Sequence, residues 1–134
     1  MRRNLVGLLT VAGATVLFSG SVLGHHGAGV YDTSKTITVT GEVSQFRFVN
    51  PHVLIYANVE QDGKTVEWSG ELTSPNRLAR DERGTVRWHK DILKPGDGIE
   101  LTGNPARNGA PSLRLLGVVK IVDGKREVLY GEQS

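Results

Sequence analysis

Histidine is the residue type in this chain whose spacing most clearly suggests chemistry. His25 and His26 are adjacent, and His52 directly follows the dipeptide Asn50-Pro51, which restricts the backbone in front of it. If processing made His25 the first residue, its α-amine and imidazole would form a chelate that His26 or His52 could complete. Nitrogen ligands of this kind suit Cu(II) first and Zn(II) or Ni(II) next. We therefore predict a metal site at His25, His26 and His52, with copper as the leading candidate.

The N-terminal segment predicts export. Two arginines after the initiator precede an apolar run from Leu5 to Phe18, and small residues then lead to Gly24. This order is typical of a secretory signal, and the run of about fourteen residues is shorter than the roughly twenty that a membrane-spanning helix needs. We predict a cleaved signal peptide over 1–24 and a single domain over 25–134, periplasmic and without a membrane span. The paired arginines also resemble a twin-arginine signal, but the general secretory route is favoured.

The balance of charged residues indicates which classes of partner the protein is suited to bind. The chain carries 16 basic and 14 acidic residues, and loss of Arg2 and Arg3 with the signal leaves 14 of each. Such a balance lacks the basic excess of nucleic-acid-binding domains, so no nucleic-acid partner is expected. The chain has no cysteine, which excludes lipoprotein processing and disulfides. The fold must therefore depend on its hydrophobic core alone.

Alternating apolar and polar residues predict a mainly β chain. The first strand slips in phase near Ser44-Gln45, which indicates a bulge, and Asp62-Gly63 predicts a tight hairpin. The predicted strands are Ile37–Phe48, Val53–Val59, Thr65–Leu72, Ile99–Thr102 and Leu113–Val122, with a short terminal strand at Glu127–Tyr130.

Helical signals occur between the third and fourth strands. Ser74 and Pro75 form a helix start, and Asn76–Arg83 can complete two turns; a further short turn is expected at His89–Leu93. This order of elements predicts a small five-stranded OB-like barrel with one short helical segment, and an open β-sandwich is the alternative. The predicted core comprises Ile37, Val39, Val43, Ile55, Val66, Trp68, Ile99, Leu101 and Val119.

Four further residues are candidates for a site, and each has a structural alternative. Asp32 could supply an oxygen ligand or simply end the N-terminal arm in a turn. Asn50 could cap the turn before His52. Trp68 could stack on a ligand, but its inward position favours core packing. Glu71 could be a buried carboxylate near a pocket or a rim residue paired with an arginine.

Several motifs together resemble a known family. They are His25-His26-Gly27, Tyr31-Asp32, Thr40-Gly41-Glu42-Val43, Asn50-Pro51-His52, Glu67-Trp68, Leu93-Lys94-Pro95-Gly96-Asp97 and Gly103-Asn104-Pro105-Ala106-Arg107. Over nearly all of residues 25–124 the chain resembles a family of small exported bacterial proteins classed as a domain of unknown function. The His-His start and the Asn-Pro-His turn are the specific part. The resemblance implies export and a compact β domain, and it implies no activity.

Two functions from different classes fit these features. The first is a periplasmic binding protein that holds copper or a similar ion at His25, His26 and His52, as a carrier or sensor. The second is a metal-free interaction module that binds an envelope protein or a saccharide through the barrel face. An enzyme is less favoured, because the sequence has no recognisable Ser/His/Asp set, HExxH motif or nucleotide fingerprint.

Overall fold

The structure, a computed structural model, describes residues 29–80 and 86–131. The predicted signal peptide, His25 and His26 lie outside the described residues. The elements are β1 (Ile37–Arg47), β2 (Leu54–Gln61), β3 (Lys64–Glu71), α1 (Pro75–Ala79), β4 (Gly98–Pro105), β5 (Ser112–Val122) and β6 (Lys125–Tyr130). Within the described ranges, no helix is long and apolar enough to cross a membrane.

The strands close into a five-stranded barrel. Antiparallel pairing gives the order β3-β2-β1-β4-β5-β6, and a parallel pairing of β3 with β5 closes the first five of these strands into a ring. That closing seam is short, running from Ser69 beside Ser112 to Glu71 beside Arg114. β6 lies outside the closed ring, against β5. The predicted OB-like barrel, with one short helix between the third and fourth strands, is confirmed.

A bent β1 allows the ring to close. Its first half pairs with β4 and its second half with β2, and the register shifts between Val43 and Gln45. The predicted bulge is therefore confirmed. Gly41 lies where the two pairings meet, and a Cβ built there would be 2.0 Å from the carbonyl oxygen of Asn58. Only glycine fits so close to the neighbouring backbone.

The β2–β3 hairpin forms the most regular wall of the barrel. Asp62 and Gly63 both have positive φ, 52° and 75°, as a type I′ turn requires. Alternate residues of the hairpin point inward, as predicted. The buried positions include Val53, Ile55, Ala57, Val59, Trp68 and Leu72.

The prediction that Val119 of β5 lies in the core is wrong. Thr102 of β4 pairs with Gly117, whereas Gly103 pairs with Leu115, so Leu116 is an extra residue in the ladder. Beyond it the inward positions move by one, which buries Val118 and removes Val119 from the core. Of the predicted core, Val39, Val43, Ile55, Trp68, Ile99 and Leu101 are buried together, and Ile37 and Val66 are partly buried against them.

The helical segments are shorter than predicted. α1 ends at Ala79 with Arg80 as its C-cap, where the prediction extended to Arg83, which lies outside the described residues. Ser74 precedes Pro75 in extended conformation and makes no side-chain capping bond. The predicted turn at His89–Leu93 is only a hydrogen-bonded turn, in which the Ile92 amide donates to the His89 carbonyl at 3.2 Å. A helix cannot continue from this turn through Pro95, because proline lacks the amide hydrogen that a helix needs.

Candidate functional site

A cavity of about 380 Å³ opens where the β3–β5 seam meets α1 and the N-terminal arm, the described residues 29–36 before β1. Six separate parts of the chain contribute to its walls, so barrel closure is what creates it. The lining residues are Tyr31, His52, Glu71, Leu72, Thr73, Arg77, Arg114, Leu115, Leu116 and Tyr130.

The N-terminal arm brings Tyr31 to the cavity by continuing the barrel's pairing. Tyr31 forms a bridge with Ala106, and the Asp32 amide donates to the Pro105 carbonyl at 2.8 Å. On the other side the Arg107 amide donates to the Val30 carbonyl at 2.9 Å. These bonds fix the arm beside the end of β4, and the Tyr31 side chain is buried.

Two backbone bonds hold His52 beside the end of β3. The Leu72 amide donates to the Val53 carbonyl at 2.9 Å, and the Val53 amide donates to the Thr73 carbonyl at 3.1 Å. Val53 itself is fully buried. The residue before it, His52, is therefore placed next to Glu71, the last residue of β3.

A hydrogen-bonded network joins these side chains around Glu71. His52 Nδ1 lies 2.9 Å from Glu71 Oε1, and the Tyr31 hydroxyl donates to Glu71 Oε2 at 3.1 Å. The Ser112 hydroxyl lies 3.4 Å from the Tyr31 oxygen. The Glu71 side chain is only 18% exposed, against 39% for His52. Each oxygen of the Glu71 carboxylate thus contacts a different side chain: Tyr31 from the arm and His52 from the β1–β2 turn.

The network acts electrostatically on the tyrosine. Burial raises the pKa of Tyr31 above its ordinary value of 10.0, and the negative charge and hydrogen bond of Glu71 raise it further, while the Ser112 hydroxyl lowers it. Tyr31 is therefore a neutral hydrogen-bond donor to Glu71 at physiological pH.

The same carboxylate sets the tautomer of His52. Because a carboxylate is an acceptor, the proton of a neutral His52 is placed on Nδ1, which leaves the Nε2 lone pair for another partner. Histidines that bind metals commonly donate their other ring N–H to a carboxylate in this way. The geometry therefore leaves Nε2 available for metal coordination.

The structure places the predicted site residues in different regions. His52 and Glu71 meet in the cavity, and the idea that Glu71 lies near a pocket fits this position. Asn50 is exposed and joined to Pro51 by a cis peptide bond. Asp32 closes a turn by accepting from the Ser34 amide at 3.1 Å and the Ser34 hydroxyl at 2.6 Å.

Trp68 belongs to the core and takes no part in the cavity. It is 9% exposed, and its indole nitrogen donates to Gln61 Oε1 at 3.1 Å. This agrees with the expectation that core packing outweighs ligand stacking. Among the residues in the described ranges, no group of three or more His, Cys, Asp or Glu is placed to hold a metal ion.

Sequence reasoning missed two arginines that line the cavity, Arg77 and Arg114, and also Ser112, which contacts the Tyr31 hydroxyl. Ser112, Arg114 and Arg77 stand far from His52 along the chain, and only the parallel seam and the position of α1 bring them together. A strand pattern does not specify which strands close a barrel, so no local signal identified them.

Fold and cavity define a small closed β-barrel with a His–Glu–Tyr network at its seam. The chain belongs to a family of unknown function, DUF6152, whose profile matches residues 14–113. The matched segment includes His52, Glu71 and Tyr31, and it agrees with the resemblance found in the sequence. No curated protein matches the chain.

Proposed function

We propose that this protein is an exported, periplasmic binding protein that holds a copper ion with His25, His26 and His52. The α-amine and imidazole of His25 form the chelate, and the imidazoles of His26 and His52 complete a nitrogen-rich set. Zinc and nickel are the next candidates, because the divalent ions of this series bind such ligands less tightly than Cu(II).

The single observation that carries the proposal is the 2.9 Å contact between His52 Nδ1 and Glu71 Oε1. The carboxylate orients the ring and keeps Nε2 available as the ligand atom. Glu71 is itself fixed by Tyr31, so the ring is held by a network rather than by one bond. A solvent-exposed histidine without such support would bind a metal more weakly, since ordering its side chain would cost conformational entropy.

The position of the arm also supports the proposal. His26 precedes Tyr31 by five residues, and an extended chain spans about 3.3–3.6 Å per residue, so about 17 Å is available. Tyr31 and His52 contact the same carboxylate. This length would allow the two histidines of the processed N-terminus to reach the His52 ring.

The test is a Cu(II) titration of the exported, processed protein, after its intact mass has established that His25 is the first residue. Calorimetry against a competing chelator gives the affinity, and paramagnetic resonance reports the nitrogen ligands. We expect His52→Ala and Glu71→Gln each to weaken binding by about 10- to 100-fold, as changes in or behind a metal ligand usually do. Acetylation of the His25 amine should have a comparable effect.

His89→Ala is the matched control. His89 is exposed, and its Nδ1 accepts a hydrogen bond from the Asp91 amide, so its loss should leave copper affinity unchanged. The proposal is wrong if the processed protein begins after His25. It is also wrong if the protein binds no better than a free His-His peptide and is indifferent to His52→Ala; the metal-free interaction module then replaces it.

A further inference from the structure

The cavity carries two positive charges that the metal proposal does not use. Arg77 comes from α1 and Arg114 from β5, and both line the cavity. A guanidinium group stays protonated at any physiological pH. In the described part of the chain, neither arginine has an ion-pair partner, and the one acidic residue of the lining, Glu71, is bonded to His52 and Tyr31 instead.

Four of the other lining residues are apolar or aromatic. Leu72, Leu115, Leu116 and Tyr130 form this part of the wall. Leu116 is the extra residue of the β5 bulge, and 47% of it is exposed, more than any other leucine in the described ranges. The bulge thus turns a large apolar side chain to the cavity rim, next to the arginine two residues before it in the same strand.

We propose that this cavity binds a small organic carboxylate, with Arg77 and Arg114 pairing with the carboxylate and the leucine wall covering an apolar body. Guanidinium groups match the planar geometry of a carboxylate and can bind both of its oxygens. A volume of about 380 Å³ lies at the lower end of the range of small-molecule sites. The combination of two guanidinium groups with an apolar wall favours a carboxylate with a hydrocarbon tail or ring over a fully hydrated inorganic anion.

Binding of this ligand requires no metal, although His52 lines the same cavity. Its polar contacts come from Arg77 and Arg114, whereas the metal proposal depends on His25, His26 and His52. The two proposals can therefore fail separately, provided that the ligand experiment is done with a chelator present.

The experiment is a titration of the processed protein with hexanoate, benzoate, acetate and inorganic phosphate in the presence of EDTA. Calorimetry gives the affinities, and shifts in the amide NMR signals of Thr73 and Leu115 locate the ligand. We expect hexanoate or benzoate to bind more tightly than acetate or phosphate. Arg77→Gln and Arg114→Gln should each weaken that binding by about tenfold or more, the usual effect of removing a charge-assisted hydrogen bond.

Three further variants make the result specific. Arg114→Lys keeps the charge but loses the planar fork, so it should weaken binding by less than Arg114→Gln. Leu116→Ser should weaken hexanoate binding and leave acetate binding unchanged. Arg47→Gln removes an exposed arginine that does not line the cavity, and it should have no effect.

Unchanged unfolding temperatures will show that the arginine variants are folded. The proposal is overturned if none of the carboxylates binds at millimolar concentration, or if Arg77→Gln and Arg114→Gln bind like the unaltered protein. It is equally overturned if phosphate binds more tightly than hexanoate and benzoate, because the apolar wall would then contribute nothing.

Discussion

Strand β3 takes part in two pairings, the hairpin with β2 and the seam with β5, and these two regions have different roles. The hairpin pairs eight residues of each strand through a two-residue turn, and its inward side chains are almost entirely apolar. The seam pairs only three residues from parts of the chain that are distant in sequence, and it collects a histidine, a glutamate, a tyrosine and two arginines. Local pairing provides the stable wall, and the short non-local closure brings together the polar groups.

The largest expected effect of a single substitution lies in the hairpin wall. Trp68→Ala removes a side chain that is 9% exposed and central to the core, and we expect a loss of about 3–5 kcal/mol in the free energy of unfolding. Urea denaturation followed by circular dichroism measures it.

The matched control for Trp68→Ala is Val122→Ala, at an apolar side chain that is 41% exposed. Its effect should stay within about 0.5 kcal/mol, as is usual for surface positions. Equal losses in the two variants would show that the hairpin is not the main support of the barrel.

This difference between regions also explains what the sequence could predict. The hairpin was predictable because its alternation and its Asp62-Gly63 turn are local signals. The phase of β5 was not, because both phases carry apolar residues after Leu116, namely Val118 and Val122 on one and Val119 and Ile121 on the other. Only the pairing of Gly103 with Leu115 and of Thr102 with Gly117 decides between them.

The site was predictable in part for the same reason. Glu71 and His52 stood out by residue type and by the turn before the histidine, and the structure brings them together. Ser112 and Arg114 join them only because β5 lies parallel to β3, a non-local pairing without a sequence pattern of its own. The positions of His25 and His26 lie outside the described residues, so their part in the metal site stays a prediction.

Tyr31 at the seam should make the stability of the protein depend on pH in alkaline solution. The pKa of Tyr31 is raised in the folded protein, first by burial and then by Glu71. Above its unfolded pKa, near 10, the unfolded chain loses this proton before the folded protein does. The folded state then binds more protons, so stability must fall as the pH rises from that value through the folded pKa. Tyr31→Phe should remove this part of the alkaline loss in pH-dependent urea denaturation.

Two variants test this further, because they should shift the pKa of Tyr31 in opposite directions. Glu71→Gln removes a charge that raises the pKa of Tyr31, so that pKa should fall, although burial keeps it above the ordinary value. Ser112→Ala removes the hydroxyl that lowers the same pKa, so it should rise. NMR titration of the Tyr31 ring carbons follows both changes. Shifts of the same sign in the two variants would contradict the network described around Glu71.

The smallest expected effect lies in the arm that brings Tyr31 to the seam. Asp32 is half-buried, with 18% of its side chain exposed. The Ser34 hydroxyl, followed by the Ser34 amide, lowers the pKa of its carboxyl group below 3.8, with weaker contributions from the charges of Arg107 and Lys35. Ser34→Ala should therefore raise this pKa toward its ordinary value, and Lys35→Gln should raise it less, because Lys35 is the weakest of these contributors. Because the pKa is lowered on folding, the turn's stabilising effect is present above the unfolded pKa and is lost as the pH falls through the folded one. Carbon-detected NMR titration of the Asp32 carboxyl measures both shifts. A larger shift in Lys35→Gln than in Ser34→Ala would mean that charge, rather than the 2.6 Å hydroxyl bond, is the main cause of the lowered pKa.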